Sequence, residues 1–140
     1  MNTIEISYKG NLRTECKHVS SGEIILTDAP VDNKGKGEYF SPTDLLATSL
    51  ATCILTIIGI SADAYGFDID NTKATVKKVM GTNPRRIAEI NIEINFPNNN
   101  YSDKEKEIIK HAADNCPVAK SLHPEIKKNI IFNWYRGIKV

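Results

Sequence analysis

The sequence holds only three cysteines, Cys16, Cys53 and Cys116, and no Cys-x-x-Cys pair. They are too few and too scattered for a disulfide-built secreted scaffold. The histidines, His18, His111 and His123, do not supply zinc-ligand spacing either. There is no surplus of one charge: 18 Lys and Arg stand against 17 Asp and Glu, a net of +1. Without a basic excess the chain cannot neutralise many phosphates, which argues against a nucleic-acid partner. The opening Met1-Asn2-Thr3-Ile4-Glu5 lacks a basic and then apolar leader, which argues against a signal peptide. The expected compartment is therefore the cytoplasm, where thiols stay reduced unless they do chemistry. Internal repeats and low-complexity segments are missing too. Long uncharged runs are rare, and the one at residues 45–62 is marginal in length for a membrane span. Its Thr48, Ser49, Thr52, Thr56, Gly59 and Ser61, the acids flanking it, and a mean hydropathy of −0.31 for the chain favour a buried helix and no membrane.

What is present is ordinary for a folded domain: 140 residues, 41% hydrophobic and 25% charged. That length suits a single domain over residues 1–140 with a core that needs no staples. Residues 4–8 alternate apolar and polar, and Lys9-Gly10-Asn11 reads as a turn. Residues 12–18 return, Ser20-Ser21-Gly22 turns again, and residues 23–27 make a third strand. A long loop with two glycines follows at residues 29–40. Two more alternating runs, 72–80 and 86–96, flank the turn Gly81-Thr82-Asn83-Pro84, and a last strand is expected over residues 130–135.

The strongest helix start is Ser41-Pro42-Thr43-Asp44, with Ser41 as cap and Asp44 suited to the helix dipole. Leu46, Leu50, Cys53, Ile57 and Ile60 recur at helical spacing, Leu45, Ile54 and Ile58 make other faces apolar, and Gly66 caps the end. A second helix starts with a capping box, Ser102 and Glu105, and presents Ile108, Ile109, Ala112, Ala113 and Cys116. Pro117 breaks it and opens a short helix through Leu122. Grouped strands with two main helices predict the α+β class.

Cys53 and Cys116 each fall on the apolar face of a helix. If both helices pack on one sheet, the thiols can meet and run a two-step cycle of sulfenic acid and then disulfide. Taken alone, Cys53 reads as a small buried hydrophobe, since a mid-helix position gains little from the dipole. Cys116, at a helix start, is expected to have a lowered thiol pKa. The cation that would hold Cys53 as thiolate is Arg13, with Glu15 or Glu38 to orient its guanidinium. Cys16, in a strand, reads as structural or as an accidental surface thiol.

The segment Ser41-Pro42-Thr43-Asp44-Leu45-Leu46-Ala47-Thr48-Ser49-Leu50-Ala51-Thr52-Cys53 resembles a signature of the OsmC/Ohr family, the osmotically inducible and organic hydroperoxide resistance proteins. Asn115-Cys116-Pro117-Val118-Ala119-Lys120-Ser121-Leu122 is similar to the family's second signature, and the element order fits nearly the whole chain. The resemblance implies a two-layer OsmC-like α+β fold, with antiparallel sheets around a long central helix in an intertwined homodimer. It implies thiol-dependent reduction of organic hydroperoxides in an oxidative stress response. Cys53 would be the peroxidatic cysteine, Cys116 the resolving cysteine, and Arg13 the catalytic arginine. It implies no metal and no bound cofactor, with an external dithiol, a lipoylated protein in some members, as reductant.

One position departs from the family pattern. The acid that follows the proline in the better-known peroxidases is Thr43 here, which leaves Asp44, Glu15 and Glu38 as candidate acids to orient Arg13. The departure keeps a second function open: a non-catalytic protein on the same fold that binds a small apolar ligand or senses redox state.

Overall fold

The computed structural model describes residues 2–134. Its contacts divide the chain into two compact units, Met1–Leu46 and Ala47–Val140. In the first unit β1 (Ile4–Gly10), β2 (Arg13–His18) and β3 (Ile24–Asp28) form an antiparallel meander in that order. The turn between β1 and β2 falls on Asn11 and Leu12, both with positive φ, at 55° and 64°. Two left-handed residues match the right-handed twist of a hairpin. A leucine there is strained by roughly 1–2 kcal/mol. Local bonds hold it in place: the Leu12 N–H donates to Tyr8 Oη at 3.2 Å, and its carbonyl accepts from the Ala29 N–H at 3.0 Å. Arg13 thus opens β2 from a pinned position.

The loop after β3 contains a 3-10 turn, Val31–Asn33, and doubles back. The Asp28 N–H donates to the Phe40 carbonyl at 3.1 Å, and the Gly37 N–H donates to the Ala29 carbonyl at 3.2 Å. Only glycine fits at 35, where a Cβ would stand 1.7 Å from the Ala29 oxygen, and Gly37 takes a φ of 62°.

Helix α1 (Pro42–Tyr65) opens with a reciprocal cap. The Asp44 N–H donates to Ser41 Oγ, and the Ser41 N–H donates to Asp44 Oδ2, both at 3.0 Å. Gly66, at φ 79°, follows its end. The buried face differs from the stripe expected from spacing. Ala47, Leu50, Ala51, Ile54, Ile58 and Ala62 face inward, while Ile60 is 59% exposed. The inward face lies about a quarter turn round the helix from the expected one. An almost uniformly apolar helix carries no period to fix its rotation.

In the second unit β4 (Lys73–Gly81) pairs antiparallel with β5 (Arg86–Asn95), and β5 pairs in parallel with β6 (Lys127–Asn133). The expectation of antiparallel sheets is corrected for this one. Helices α2 (Asp103–Asp114) and α3 (Pro117–Ser121) return the chain to the end where β5 began, as a parallel pair requires. β6 also starts earlier than expected, because Lys127-Lys128-Asn129 hides a strand in polar residues. Tyr135, the expected last residue of that strand, lies outside the described residues. The α2 capping box forms as read, with the Glu105 N–H on Ser102 Oγ and the Ser102 N–H on Glu105 Oε1. A register shift at Val79/Met80 explains why Ile87 and Ile90, three apart, both face inward. The core joins Leu50, Ile54 and Ile58 of α1 to Ile90, Ile92 and Ile94 of β5, and to Ile109, Ala112 and Cys116.

Candidate functional site

Arg13 and Asp28 are cross-strand partners on β2 and β3, so their side chains leave the same face of the sheet. Arg13 Nε donates to Asp28 Oδ1 at 2.7 Å, and Nη2 donates to Oδ2 at 2.8 Å. This is the two-pronged geometry that best matches a guanidinium to a carboxylate. Nη2 also donates to Glu38 Oε1 at 2.8 Å, and the Glu38 N–H donates to Asp28 Oδ2 at 3.1 Å. The guanidinium lies over the Tyr39 ring, 4.6 Å from its centroid. Asp28 is 1% exposed and Arg13 26%.

These contacts fix the charge states. The bonds to Asp28 and then Glu38 hold Arg13 more firmly protonated than usual. The Arg13 bond, aided by the Glu38 N–H, holds the Asp28 carboxyl below its ordinary range although burial pushes the other way. A carboxyl lowered in the folded state stabilises the fold above its unfolded pKa, and that stability is lost as pH falls through the folded value. The stability advantage of wild type over Asp28→Asn is therefore expected to be full at neutral pH and to shrink below about pH 4. Urea unfolding at a series of pH values measures it; an advantage that does not change with pH would contradict the ion pair.

In the second unit, Cys53 lies half-buried in the middle of α1, and Cys116 is fully buried at the cap position of α3. Both are free thiols, and Cys53 is near enough to Cys116 to influence its titration. The expected lowering of the Cys116 pKa is corrected. Burial raises it, and the neighbouring Cys53 raises it further. The backbone N–H groups of Ala119 and Val118 favour the thiolate, but no side-chain cap forms and burial outweighs them. Cys116 is thus the thiol that keeps its proton.

Glu38 and Arg13 come together, as do Cys53 and Cys116. Glu15 and Asp44 do not reach Arg13. Glu15 pairs with Lys9 at 3.6 Å, and Asp44 caps α1. Asp28 was not among the expected site residues, yet counting outward from the Ser20–Gly22 turn puts residue 28 opposite residue 13. Cys16 is half-buried, 3.8 Å from Thr14 Oγ1. His18, His111 and His123 serve local turns and helix ends. Among the described residues no group of three or more His, Cys, Asp or Glu is placed to hold a metal ion.

Residues 35–130 match the sequence model of the OsmC-like protein family. Among solved structures, the chain is similar to a Psychrobacter arcticus 273-4 protein named for osmotic stress induction and a detoxification response. That match has 53% identity and a TM-score of 0.91, over 95% of this chain and 96% of that one. An OsmC-like protein from Mycoplasma pneumoniae matches with 25% identity and a TM-score of 0.72, over 95% and 96% of the two chains. An organic hydroperoxide resistance protein from Legionella pneumophila shares the fold at 14% identity and a TM-score of 0.73, over 95% and 98%. No curated protein matches the sequence.

Proposed function

This chain belongs to the OsmC family, and on that premise we propose that it is a cysteine-based reductase of organic hydroperoxides. The observation that carries the reading is the free Cys53–Cys116 pair, in which the buried partner keeps its proton. The Cys53 thiolate attacks the terminal oxygen of R–O–O–H, the O–O bond breaks, and the alkoxide leaves and is protonated to R–OH. Cys53 is then a sulfenic acid. The Cys116 sulfur attacks the Cys53 sulfur, its proton leaves with the hydroxyl as water, and a disulfide forms. An external dithiol, such as a lipoylated protein, returns two electrons and two protons. Arg13, held in its charged form by Asp28 and Glu38, is the cation proposed to serve this chemistry. The chemistry uses no metal and no bound cofactor.

The protein acts in the cytoplasm as a homodimer, with no nucleic-acid or membrane partner. The exposed apolar residues Ile4, Ile6, Tyr8 and Ile25 on β1 and β3, and Ile60 on α1, support cover by a second copy. Anaerobic titration of the reduced protein with cumene hydroperoxide tests the reaction. Stoichiometric formation of a Cys53–Cys116 disulfide is expected in non-reducing peptide maps, reversed by a dithiol with continued consumption. Slow oxidation spread over all three cysteines would instead favour a non-catalytic ligand-binding protein.

A further inference from the structure

We infer that the Thr56 hydroxyl is the hydrogen-bond acceptor that seats the hydroperoxide on Cys53. The inference rests on the peroxidase reading above and stays within α1, where both residues lie. On a helix the side chains beside Cys53 belong to residues three and four positions away, Ser49, Leu50, Thr56 and Ile57. Leu50 is buried in the core and Ile57 is apolar, so the polar neighbours are Ser49 and Thr56. Helical side chains lean toward the N-terminus, over the turn before their own Cα. Ser49 therefore leans away from Cys53, and Thr56 leans over it. The lean of Thr56 is visible in its bond: Oγ1 donates to the Thr52 carbonyl at 2.8 Å, one residue short of Cys53. Thr56 is exposed and Cys53 half-buried, so the pair can be reached from solvent.

That bond also sets the polarity of the hydroxyl. Its hydrogen is committed to the Thr52 carbonyl, which leaves the lone pairs of Oγ1 to meet a ligand. A hydroxyl that has already donated is a stronger acceptor. A hydroperoxide R–O–O–H carries a single donor, the O–H of its terminal oxygen. Donating it to Thr56 sets that oxygen about 2.8 Å from Oγ1. Attack by sulfur needs the same oxygen within about 3.5 Å of Sγ. Residues three apart on a helix hold their Cβ atoms about 5–6 Å apart, a gap that one oxygen bridges on those two distances. The Cys53 thiolate attacks the terminal oxygen, the O–O bond breaks, and the alkoxide leaves and takes a proton from water. The terminal oxygen keeps its own hydrogen throughout and ends as the sulfenic acid S–O–H, still donating to Thr56. Thr56 neither gives nor takes a proton; it selects oxidants with an O–H on the oxygen attacked. A back-bonded threonine is common on helices as a purely local contact. Here its place beside a member of the free cysteine pair gives that contact a use.

Quenched-flow peptide mapping of Cys53 in the full-length reduced protein tests this with two reagents. Cumene hydroperoxide carries the O–H donor. Methyl methanethiosulfonate also reacts with the thiolate but offers no donor. Thr56→Val keeps the shape and removes the hydroxyl. Its hydroperoxide rate is expected to fall about three- to tenfold, with the thiosulfonate rate within about twofold of wild type. Thr56→Ser restores the hydroxyl and should recover the hydroperoxide rate to within about twofold. If Thr56→Val does not fold, Thr56→Ala, a better helix former, takes its place.

A hydroperoxide rate within about twofold of wild type in the variant without the hydroxyl would overturn the inference. So would an equal fall with both reagents, which marks a change in the thiolate. So would a Thr56→Ser as slow as Thr56→Val, which marks a methyl contact. Each of these leaves the peroxidase reading standing. A wild type whose Cys53 reacts with the thiosulfonate but not with hydroperoxide overturns the peroxidase reading, and the inference falls with it.

Discussion

Cys53→Ser is expected to bring hydroperoxide consumption down by at least about a thousandfold, because a serine hydroxyl is almost wholly un-ionised at neutral pH and is a weak nucleophile without a base beside it. Cys116→Ser should behave differently. Its first turnover survives, because Cys53 still attacks the peroxide, but the sulfenic acid has no neighbouring thiol to condense with. One equivalent of hydroperoxide is consumed and the cycle stalls. Stopped-flow kinetics and intact mass with a sulfenic-acid trap separate the two variants. The trap should label Cys53 in Cys116→Ser and nothing in Cys53→Ser. The asymmetry follows from burial, which holds the proton on Cys116 until the Cys53 sulfur has become an electrophile. Unchanged turnover in Cys116→Ser would mean that the external thiol attacks the sulfenic acid directly. Unchanged turnover in both variants would remove the cysteine mechanism.

Ile54→Ala is expected to cost about 2–4 kcal/mol of folding stability. Ile54 is fully buried in the cluster with Ile58 of α1 and Ile90 and Ile92 of β5. Truncating such a side chain loses its transfer energy and leaves a cavity, about 2–5 kcal/mol together. Alanine's better helix propensity returns only about 0.4 kcal/mol. Against a typical domain stability of about 5–15 kcal/mol, that is a large share. Urea unfolding followed by the fluorescence of Trp134, the sole tryptophan, measures it. Its ring stacks on Phe96 at 4.5 Å and reports on the core of the second unit. A loss below about 1 kcal/mol would mean that the neighbouring isoleucines collapse into the space.

The sequence shows most clearly the features whose signal is local. The capping box of α2, the cap of α1, the meander and the β4–β5 hairpin all form from residues a few positions apart. The two cysteines were legible as a pair because helical spacing aligns each with apolar neighbours, although Cys116 sits at the cap of α3 and not on a helix face. Rotation of α1 was not, since Leu46, Ile57 and Ile60 are as apolar as Ile54 and Ile58. The direction of β6 was not, because side-chain alternation is the same in parallel and antiparallel strands. The behaviour of Cys116 was misread from helix polarity alone; desolvation decides it, and depth of burial depends on the whole core. Asp28 could have been found from strand register. The acids near Arg13 in sequence, or near the helix start, drew attention first.

The parallel partnership of β5 and β6 sets an order of events during translation. β5 is the central strand of its sheet, and its hairpin with β4 is complete once Asn95 has been made. Its other edge pairs with Lys127–Asn133. Synthesis of residues 96–126 takes roughly 2–6 s at ribosomal speeds of about 5–20 residues per second. Through that interval a strand carrying Ile90, Ile92 and Ile94 presents unpaired backbone to solvent, an open template for another chain. The nascent protein is therefore most in need of a chaperone between the emergence of its fifth strand and its sixth.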